Sequence, residues 1–343
     1  MVNTSNHTLV SIIIPIYNVD EFLDETIQSV LNQSFQEFEL ILINDGSTDR
    51  SALICQEYLS KDKRIQFINQ ENSGVSIARN NGLLLAKGKY VFFMDSDDTL
   101  DSDFIKSSFE AAEKDSNNIT IVGEEYCKRL PNVTALPTCA QFLKRSFLVD
   151  HPEIRFPEHI QPCEDGLFSH QLLALTTAVG VNLQGNYHYR KHSSQNHVKI
   201  NENSWKVLHQ IPSWFSILSK FYEKNDLFYS HSFHLALFVE HEPFEIRYLR
   251  LTLDEEQKKY LFDLIKEFMS KYVDPYLSNE NRDLLSKPFL YFLRAESYSD
   301  FDNFYKRYLK QRAAKRKILL FLVKLIPFSN LRRGWRENIR AKY

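Results

Sequence analysis

The sequence predicts an α/β protein with a mostly parallel sheet, followed by a helical C-terminal domain and a basic amphipathic tail. Over the first hundred residues, short β-branched or aromatic runs alternate with stretches whose apolar residues have helical spacing. Three of these runs end in polar turns, which parallel strands would bring to one edge of the sheet. From residue 201 onward, aromatic residues recur at helical spacing instead.

The first element is the apolar run 9–16, typical of a central parallel strand. Pro15 should lie near its end, because proline lacks the N–H that a central strand needs. The pattern then predicts helices over 21–33, 50–59 and 76–86 and strands over 38–44, 65–68 and 90–94. This alternation is typical of right-handed crossovers in a parallel sheet. A helix over 104–113 and a strand over 119–122 follow, and 124–138 is expected to be irregular.

Three carboxylates, Asp95, Asp97 and Asp98, directly follow the strand at 90–94. Crowded carboxylates repel one another, so a cation between them would stabilise the cluster. Oxygen ligands of this kind suit Mg²⁺ or Mn²⁺, which usually also carry substrate phosphates. The alternative is an acidic turn that caps the next helix, with Asp98 or Asp101 as N-cap.

The sequence lacks the motifs of other nucleotide-binding proteins and of cysteine metal sites. The sequence has neither a GxGxxG fingerprint nor a P-loop, so a carboxylate-held metal takes the place of a glycine-rich phosphate cradle. The four cysteines show no CxxC spacing. Residues 1–8 lack the apolar core of a signal peptide, and no run of 18 apolar residues occurs, so a cytoplasmic location is expected.

Four segments in order, 10–18, 44–49, 72–82 and 95–97, resemble the motifs of family 2 glycosyltransferases, which have the GT-A fold. In that family 95–97 is the DxD motif. The resemblance implies a UDP-sugar, or another nucleotide-sugar, at the sheet edge and Mn²⁺ or Mg²⁺ as cofactor. It implies that Asp97 is the main metal ligand and that Asp95 contacts the ribose or the metal. The nucleobase would contact Pro15, Tyr17 and Asp45, and Arg79 would lie near the nucleobase or the diphosphate.

Simpler interpretations remain for these residues. Tyr17 would then pack beside the sheet, and Asp49 would cap the following helix. Arg79 would be a solvated charge on an amphipathic helix.

An acidic pair, Glu164 and Asp165, lies just before a helical stripe. The resemblance points to Asp165 as the general base that takes a proton from an acceptor hydroxyl, with Glu164 contacting the acceptor or orienting the loop. The alternative is helix capping by either carboxylate.

The stretch 187–195 resembles the segment that ends the catalytic domain of the family. There, His192, in preference to His188, would complete the coordination of the metal, and Arg190 would neutralise the diphosphate. The alternative is a surface strand with scattered charge.

The sequence divides into a catalytic domain (1–200), a helical domain (201–305) whose aromatic residues are expected to form its core, and a tail (306–343). Helices are expected over 251–269 and 289–309. The tail has thirteen Lys and Arg residues and one acidic residue, a charge of +12, which leaves −14 on the rest of the chain. Residues 318–326 contain eight apolar residues flanked by basic ones, the composition of an interfacial helix on anionic lipid. A last core helix or a nucleic-acid patch are the alternatives.

We therefore expect a metal-dependent, inverting hexosyltransferase of surface-polysaccharide synthesis, of the lipopolysaccharide or capsule type. It would act on a glycan or lipid-linked acceptor, peripherally on the inner face of the cytoplasmic membrane, and would not bind nucleic acid. A sugar nucleotidyltransferase is a rival, although the turn after the first strand has no glycine. A non-catalytic, membrane-bound nucleotide- or glycan-binding protein is the other.

Overall fold

A computed structural model describes residues 8–192 and 203–342. The expected boundary between residues 200 and 201 therefore lies outside the described residues. Seven strands form one twisted sheet and two short strands form a ribbon. They are β1 (Val10–Ile16), β2 (Phe38–Asp45), β3 (Ile65–Gln70), β4 (Tyr90–Phe93), β5 (Thr99–Leu100), β6 (Ile119–Val122), β7 (Gln141–Lys144), β8 (Val179–Asn182) and β9 (Tyr187–His188).

The order of strands in the large sheet is β3-β2-β1-β4-β7-β6-β8. Strands β3, β2, β1 and β4 are parallel, as the alternation of sequence patterns predicts. Strand β7 runs antiparallel to both β4 and β6 and was not predicted. The second, two-stranded sheet pairs β5 with β9 in antiparallel orientation.

Pro15 lies near the end of β1, as predicted. Its register partner is Ile43 of β2, whereas the pairing of β1 with β4 stops at Ile13 and Phe93. The Ile13 carbonyl accepts from the Met94 N–H, so alternate residues of β1, including Pro15, face the side of β4. Because β4 has already ended there, the missing N–H of Pro15 leaves no ladder bond unmade.

Seven helices accompany the sheet within residues 8–192. They are α1 (Asp20–Leu31), α2 (Ser51–Lys61), α3 (Val75–Leu85), α4 (Phe104–Lys114), α5 (Glu124–Cys127), α6 (Arg145–Asp150) and α7 (Glu164–Ala174). The stretch expected to be irregular thus contains the short helix α5, and a 3₁₀ turn at Thr138–Ala140 leads into β7.

The C-terminal region is helical, as predicted. Its helices are α8 (Ser204–Leu208), α9 (Ile211–Lys224), α10 (Phe228–Val239), α11 (Glu255–Phe268), α12 (Asn279–Asp283), α13 (Lys287–Arg294), α14 (Tyr298–Val323) and α15 (Ser329–Lys342). Two π-helical segments, Glu240–Tyr248 and Met269–Val273, directly follow α10 and α11. The single helix expected over 289–309 is wrong: α13 ends at Arg294, and the Ser297 side chain accepts from the Asp300 N–H to begin α14.

Each face of the sheet has its own hydrophobic core. Ile12 and Ile14 of β1 belong to a cluster with the residues of α1 and α4, whereas Ile13 belongs to a larger cluster on the opposite face. That larger cluster continues into the helical region and includes the fully buried Trp214 and Phe238. Core packing is therefore the role of most aromatic residues there, as expected, although Tyr229 is exposed. The helical region stabilises the sheet because both bury apolar surface in the same cluster.

A pair of helical glycines tests this packing. A Cβ at Gly82 of α3 would lie 2.3 Å from Ile13 Cγ2, whereas a Cβ at Gly334 of α15 would meet no atom within 4 Å. We expect Gly82→Ala to lower the free energy of unfolding by about 1–3 kcal/mol, because β1 and α3 must separate. Urea titration followed by circular dichroism measures the change.

Gly334→Ala is the matched control, because it makes the same chemical change in a helix without a steric clash. It should leave the free energy of unfolding unchanged or raise it by up to about 1 kcal/mol. Equal effects of the two substitutions would contradict the close contact between α3 and β1.

Candidate active site

The ends of three neighbouring parallel strands build one edge of the sheet. β1 leads to the half-exposed Tyr17, β2 ends at Asp45 and β4 leads to Asp95. Because β2, β1 and β4 are adjacent, these predicted residues lie along the same edge. Such an edge is where open α/β sheets bind their ligands.

Asp45 is buried and holds the loop that precedes α3. Its Oδ1 accepts from the Ser73 N–H and from Gln70 Nε2, both at 2.8 Å, and its Oδ2 accepts from the Gly74 N–H at 2.9 Å. Gly74 has a φ of +92°, which favours glycine. Asp45 therefore determines the shape of the loop beside the predicted nucleobase site.

Turns of neighbouring strands also bind each other. Asn18 Oδ1 accepts from the Thr48 N–H at 2.8 Å, which joins the turn after β1 to the turn after β2. Asp49 accepts from the Ser51 N–H at the start of α2 and from the Asp20 N–H at the start of α1. Arg50, and not Asp49, is the N-cap residue of α2, so Asp49 joins the two helix starts without being the N-cap that the capping alternative predicts.

Arg79 of α3 lies buried between two carboxylates. Its Nη2 donates to Asp95 Oδ1 at 2.9 Å and its Nη1 donates to Glu164 Oε1 at 3.1 Å. The guanidinium also lies 5.3 Å from the centre of the Phe156 ring. Arg79 is therefore not the solvated surface charge of the simpler interpretation. It joins the end of β4 to the start of α7.

The segment after β8 lies on the acidic turn. The Tyr187 hydroxyl donates to Asp98 Oδ2 at 2.6 Å and accepts from the Asp95 N–H at 3.2 Å. The Arg190 N–H donates to Asp98 Oδ1 at 2.7 Å. Asp98 is fully buried and, like Asp101, does not cap α4, whose first turn begins three residues after Asp101. Burial raises the pKa of Asp98 to about 7.

The two histidines of this segment have different partners. His192 Nε2 lies 2.8 Å from Asp97 Oδ2, whereas His188 Nε2 lies 2.5 Å from Asp101 Oδ1. His192 also packs on the Phe22 ring. Arg190 donates to the Asp97 carbonyl at 2.8 Å and pairs with Glu25, so it lies at the same edge. The structure thus brings His192, and not His188, to the carboxylate that the DxD resemblance singles out.

The partly buried Asp97 and His192 pair fits a divalent cation that arrives with a diphosphate. Among the described residues, no three His, Cys, Asp and Glu side chains are grouped to hold a metal unaided. Mg²⁺ in particular usually takes only one or two carboxylates and completes its shell with phosphate oxygens and water. Asp97 and His192, with Asp95 nearby, would therefore hold such an ion only together with phosphate oxygens and water.

Asp165 lies in the first turn of α7, with its Oδ1 accepting from the Gly166 N–H at 2.7 Å. Burial and the neighbouring Glu164 carboxylate raise the pKa of Asp165 to about 7, against the opposing effect of Arg79. A carboxylate with such a pKa is well matched to proton transfer near neutral pH.

Three residues of this site were missed by sequence reasoning. Cys139 lies among the charges of Asp95, Asp98 and Asp165, which, after burial, raise the pKa of its thiol. Tyr187 lies in the stretch 187–195, but sequence reasoning assigned it no role of its own. Glu242, from the π-helical segment Glu240–Tyr248, is a further charge that raises the pKa of Asp165. No local signal connects Glu242 with α7, but a π-helix is itself a frequent mark of functional sites.

None of the helices in the described part of the chain combines the length and hydrophobicity needed to cross a bilayer.

Comparisons with known proteins agree with this geometry. The sequence model of "Glycosyl transferase family 2" matches residues 11–173. The uncharacterized glycosyltransferase EpsJ of Bacillus subtilis is 32% identical in an alignment that covers 65% of this chain and 70% of EpsJ. The minor teichoic acid biosynthesis protein GgaB of Bacillus subtilis is 28% identical in an alignment that covers 91% of this chain but only 37% of GgaB.

Among solved structures, S. aureus TarS 1–349 in complex with UDP-GlcNAc superimposes with a TM-score of 0.63. The match covers 88% of this chain and 92% of that one at 20% identity, which is a likeness of fold. The same TarS fragment with UDP has a TM-score of 0.59 and 22% identity.

The Arg79 ion pairs are directly testable. We expect Arg79→Met to lower the free energy of unfolding by about 3 kcal/mol or more, because Glu164 is left buried without its partner. Adding Glu164→Gln to Arg79→Met should restore part of the loss, since it removes the unpaired charge. Urea unfolding of the single and double variants measures this coupling. Purely additive effects would contradict the bridging role of Arg79.

Proposed function

The chain belongs to glycosyltransferase family 2, and from this premise we propose that it transfers a sugar from a UDP-sugar to an acceptor hydroxyl with inversion. Membership makes it a nucleotide-sugar glycosyltransferase of polysaccharide synthesis with the GT-A fold. The observation that carries the proposal is that Arg79 joins Asp95 of the DxD motif to the acidic start of α7, while His192 pairs with Asp97.

The donor half of the proposal rests on the sheet edge. We propose that the nucleobase of the donor contacts Pro15, Tyr17 and the loop that Asp45 holds, and that the ribose contacts Asp95. The TarS structures with UDP-GlcNAc and UDP support a uridine nucleotide. Arg190, beside Asp97, would face the diphosphate, where a guanidinium binds phosphate oxygens well.

Asp97 and His192, assisted by Asp95, would hold Mn²⁺ or Mg²⁺. A bound cation supplies positive charge that stabilises the diphosphate as it leaves. Arg79 keeps Asp95 in place, because its guanidinium donates to Asp95 Oδ1. The protein thus holds the carboxylates ready for the ion instead of reorganising them when the donor binds.

Asp165 is assigned as the general base. It would remove the proton from the acceptor hydroxyl as that oxygen attacks the anomeric carbon, the bond to the diphosphate breaks, and UDP leaves on the opposite side. Asp165 shares two neighbours, Arg79 and Cys139, with Asp95, which supports a position beside the donor. Glu164, paired with Arg79, positions the first turn of α7.

We propose a glycan or lipid-linked acceptor and a reaction on the inner face of the cytoplasmic membrane. The teichoic acid relative GgaB supports a cell-surface polymer, and the basic tail supports a membrane-proximal site. A binding protein without catalysis is the alternative that the first experiment excludes or supports.

Asp165→Asn is expected to lower kcat/KM for transfer at least about a hundredfold, as loss of a general base typically does. Asp97→Asn is also expected to lower it strongly, because the cation loses its carboxylate ligand. Asp115→Asn, an exposed change away from the site, is the matched control and should retain full activity. UDP release from a panel of UDP-sugars with and without Mn²⁺ measures it, with circular dichroism as the check of folding. Binding of UDP without any turnover by the native chain would point to the non-catalytic alternative.

The pH dependence tests the base separately. Only ionised Asp165 can accept a proton, so kcat/KM should fall as the pH drops through about 7. Glu242→Gln removes a negative charge that raises the pKa of Asp165, so the acid limb should move to lower pH.

Glu245→Gln on the same π-helical segment is the control, because Glu245 is half-exposed and is not among the charges that raise this pKa. It should leave the limb in place. If Glu242→Gln leaves the acid limb of the kcat/KM profile unchanged, Glu242 does not influence the pKa of Asp165.

A further inference from the structure

The last two helices present exposed apolar side chains. We call α14 from residue 315 onward, the turn after it and α15 the C-terminal helix pair (residues 315–342). The two helices pack on each other. The large hydrophobic residues exposed in the pair are Ile318, Phe321, Leu322, Leu325, Phe328, Leu331 and Trp335. Phe321 is 61% exposed, Leu325 69% and Trp335 57%, which is unusual for such residues in one segment.

On α14 these side chains form a stripe. Ile318, Phe321 and Leu322 are separated by three and four positions, the pattern of one helix face, and Leu325 follows in the turn after α14. By contrast, Val323 and Ile339 are buried. The helix pair therefore covers some of its apolar residues by itself and leaves a separate stripe uncovered.

The core does not use this stripe. The large hydrophobic cluster includes Phe301 and, at its margin, Phe304 and Tyr305 of α14, but none of the exposed residues of the C-terminal helix pair. The alternative interpretation of the tail as a last core helix therefore holds only for the first turns of α14.

A basic surface accompanies the stripe. Arg332, Arg333, Arg336 and Arg340 line one open groove with Ser329 and Glu337. These arginines recur at helical spacing on α15, and Glu337 is the only acidic residue after residue 305. The groove therefore matches anionic oxygens, such as those of phosphodiesters.

We propose that the C-terminal helix pair lies in the interface of an anionic lipid bilayer, with the stripe in the acyl region and the arginines on the headgroups. Apolar side chains beside a basic face are what such binding requires, whereas nucleic acid offers no partner for seven exposed hydrophobic residues. A second copy of the chain is disfavoured, because two tails of charge +12 would repel. This binding is independent of the proposed transfer chemistry.

Trp335 reports on the proposal directly. Of the three tryptophans, Trp214 is fully buried and Trp205 partly buried, so Trp335 is the one exposed tryptophan. The full chain should sediment with vesicles of equal parts phosphatidylcholine and phosphatidylglycerol, but weakly with phosphatidylcholine alone. On the anionic vesicles its fluorescence should shift to shorter wavelength and be quenched by brominated acyl chains. Trp335→Phe should abolish that shift.

Variants separate the two components of binding. Phe321→Ser with Leu325→Ser should weaken binding to the anionic vesicles at least about tenfold, because two buried apolar side chains are lost. Arg332→Gln with Arg336→Gln should weaken it and reduce its dependence on salt. Leu284→Ser, an equally exposed leucine outside the pair, is the matched control and should bind normally.

Four results would overturn the proposal. The first is equal binding to neutral and anionic vesicles, and the second is unchanged binding by Phe321→Ser with Leu325→Ser. The third is loss of vesicle binding in favour of tight binding to duplex DNA or RNA. The fourth is a stable dimer by analytical ultracentrifugation that buries Trp335. Hydrolysis of the UDP-sugar, with water as the acceptor, should be as fast in these variants as in the native chain. Failure of the membrane proposal can therefore be told apart from failure of the proposed reaction.

Discussion

Two ion pairs of one buried arginine hold the candidate site together. Arg79 belongs to α3, Asp95 follows β4 and Glu164 begins α7, so three separate elements meet at one guanidinium. A buried charge of this kind is tolerated only when it is paired, and here it has two carboxylates and the Phe156 ring. The arrangement fixes the distance between the acidic turn after β4 and the proposed general base, Asp165. The sheet alone would not do so, because α7 comes seventy residues after β4.

Much of the first half of the fold is predictable from local pattern. β1 to β4 and the helices between them read clearly because buried parallel strands are continuous apolar runs and the helices are amphipathic. Strand β7 was not predicted, since only four residues separate a 3₁₀ turn from α6 and its direction depends on long-range pairing. The break between α13 and α14 was missed because aromatic spacing continues across it, although Ser297 was available as a cap.

The site was predictable to the extent that its residues lie in motifs. The sequence pointed to Asp95, Asp97, Asp165 and His192, and the structure brings His192 to Asp97 and ties Asp95 to the start of α7. It could not show that Arg79 would face carboxylates instead of solvent, or that Glu242 would reach α7. Both depend on tertiary packing that has no local signature. Asp98 does not cap the next helix, the alternative that the sequence offered, because Tyr187 and Arg190 occupy both of its oxygens.

The reversed direction of β7 has a further consequence for how such an enzyme can diversify. Since β7 is antiparallel to β4, its beginning lies at the rim where β4 ends, and the turn at Thr138–Ala140 packs against β4. The segment from α5 to β7 thus reaches this edge of the sheet on the side of β4 opposite the turns after β1 and β2. Its length and composition are open to variation or loop exchange without disturbing β1 and β2. The segment from α5 to β7 and the turns after β1 and β2 are in this way separately replaceable parts of one sheet edge.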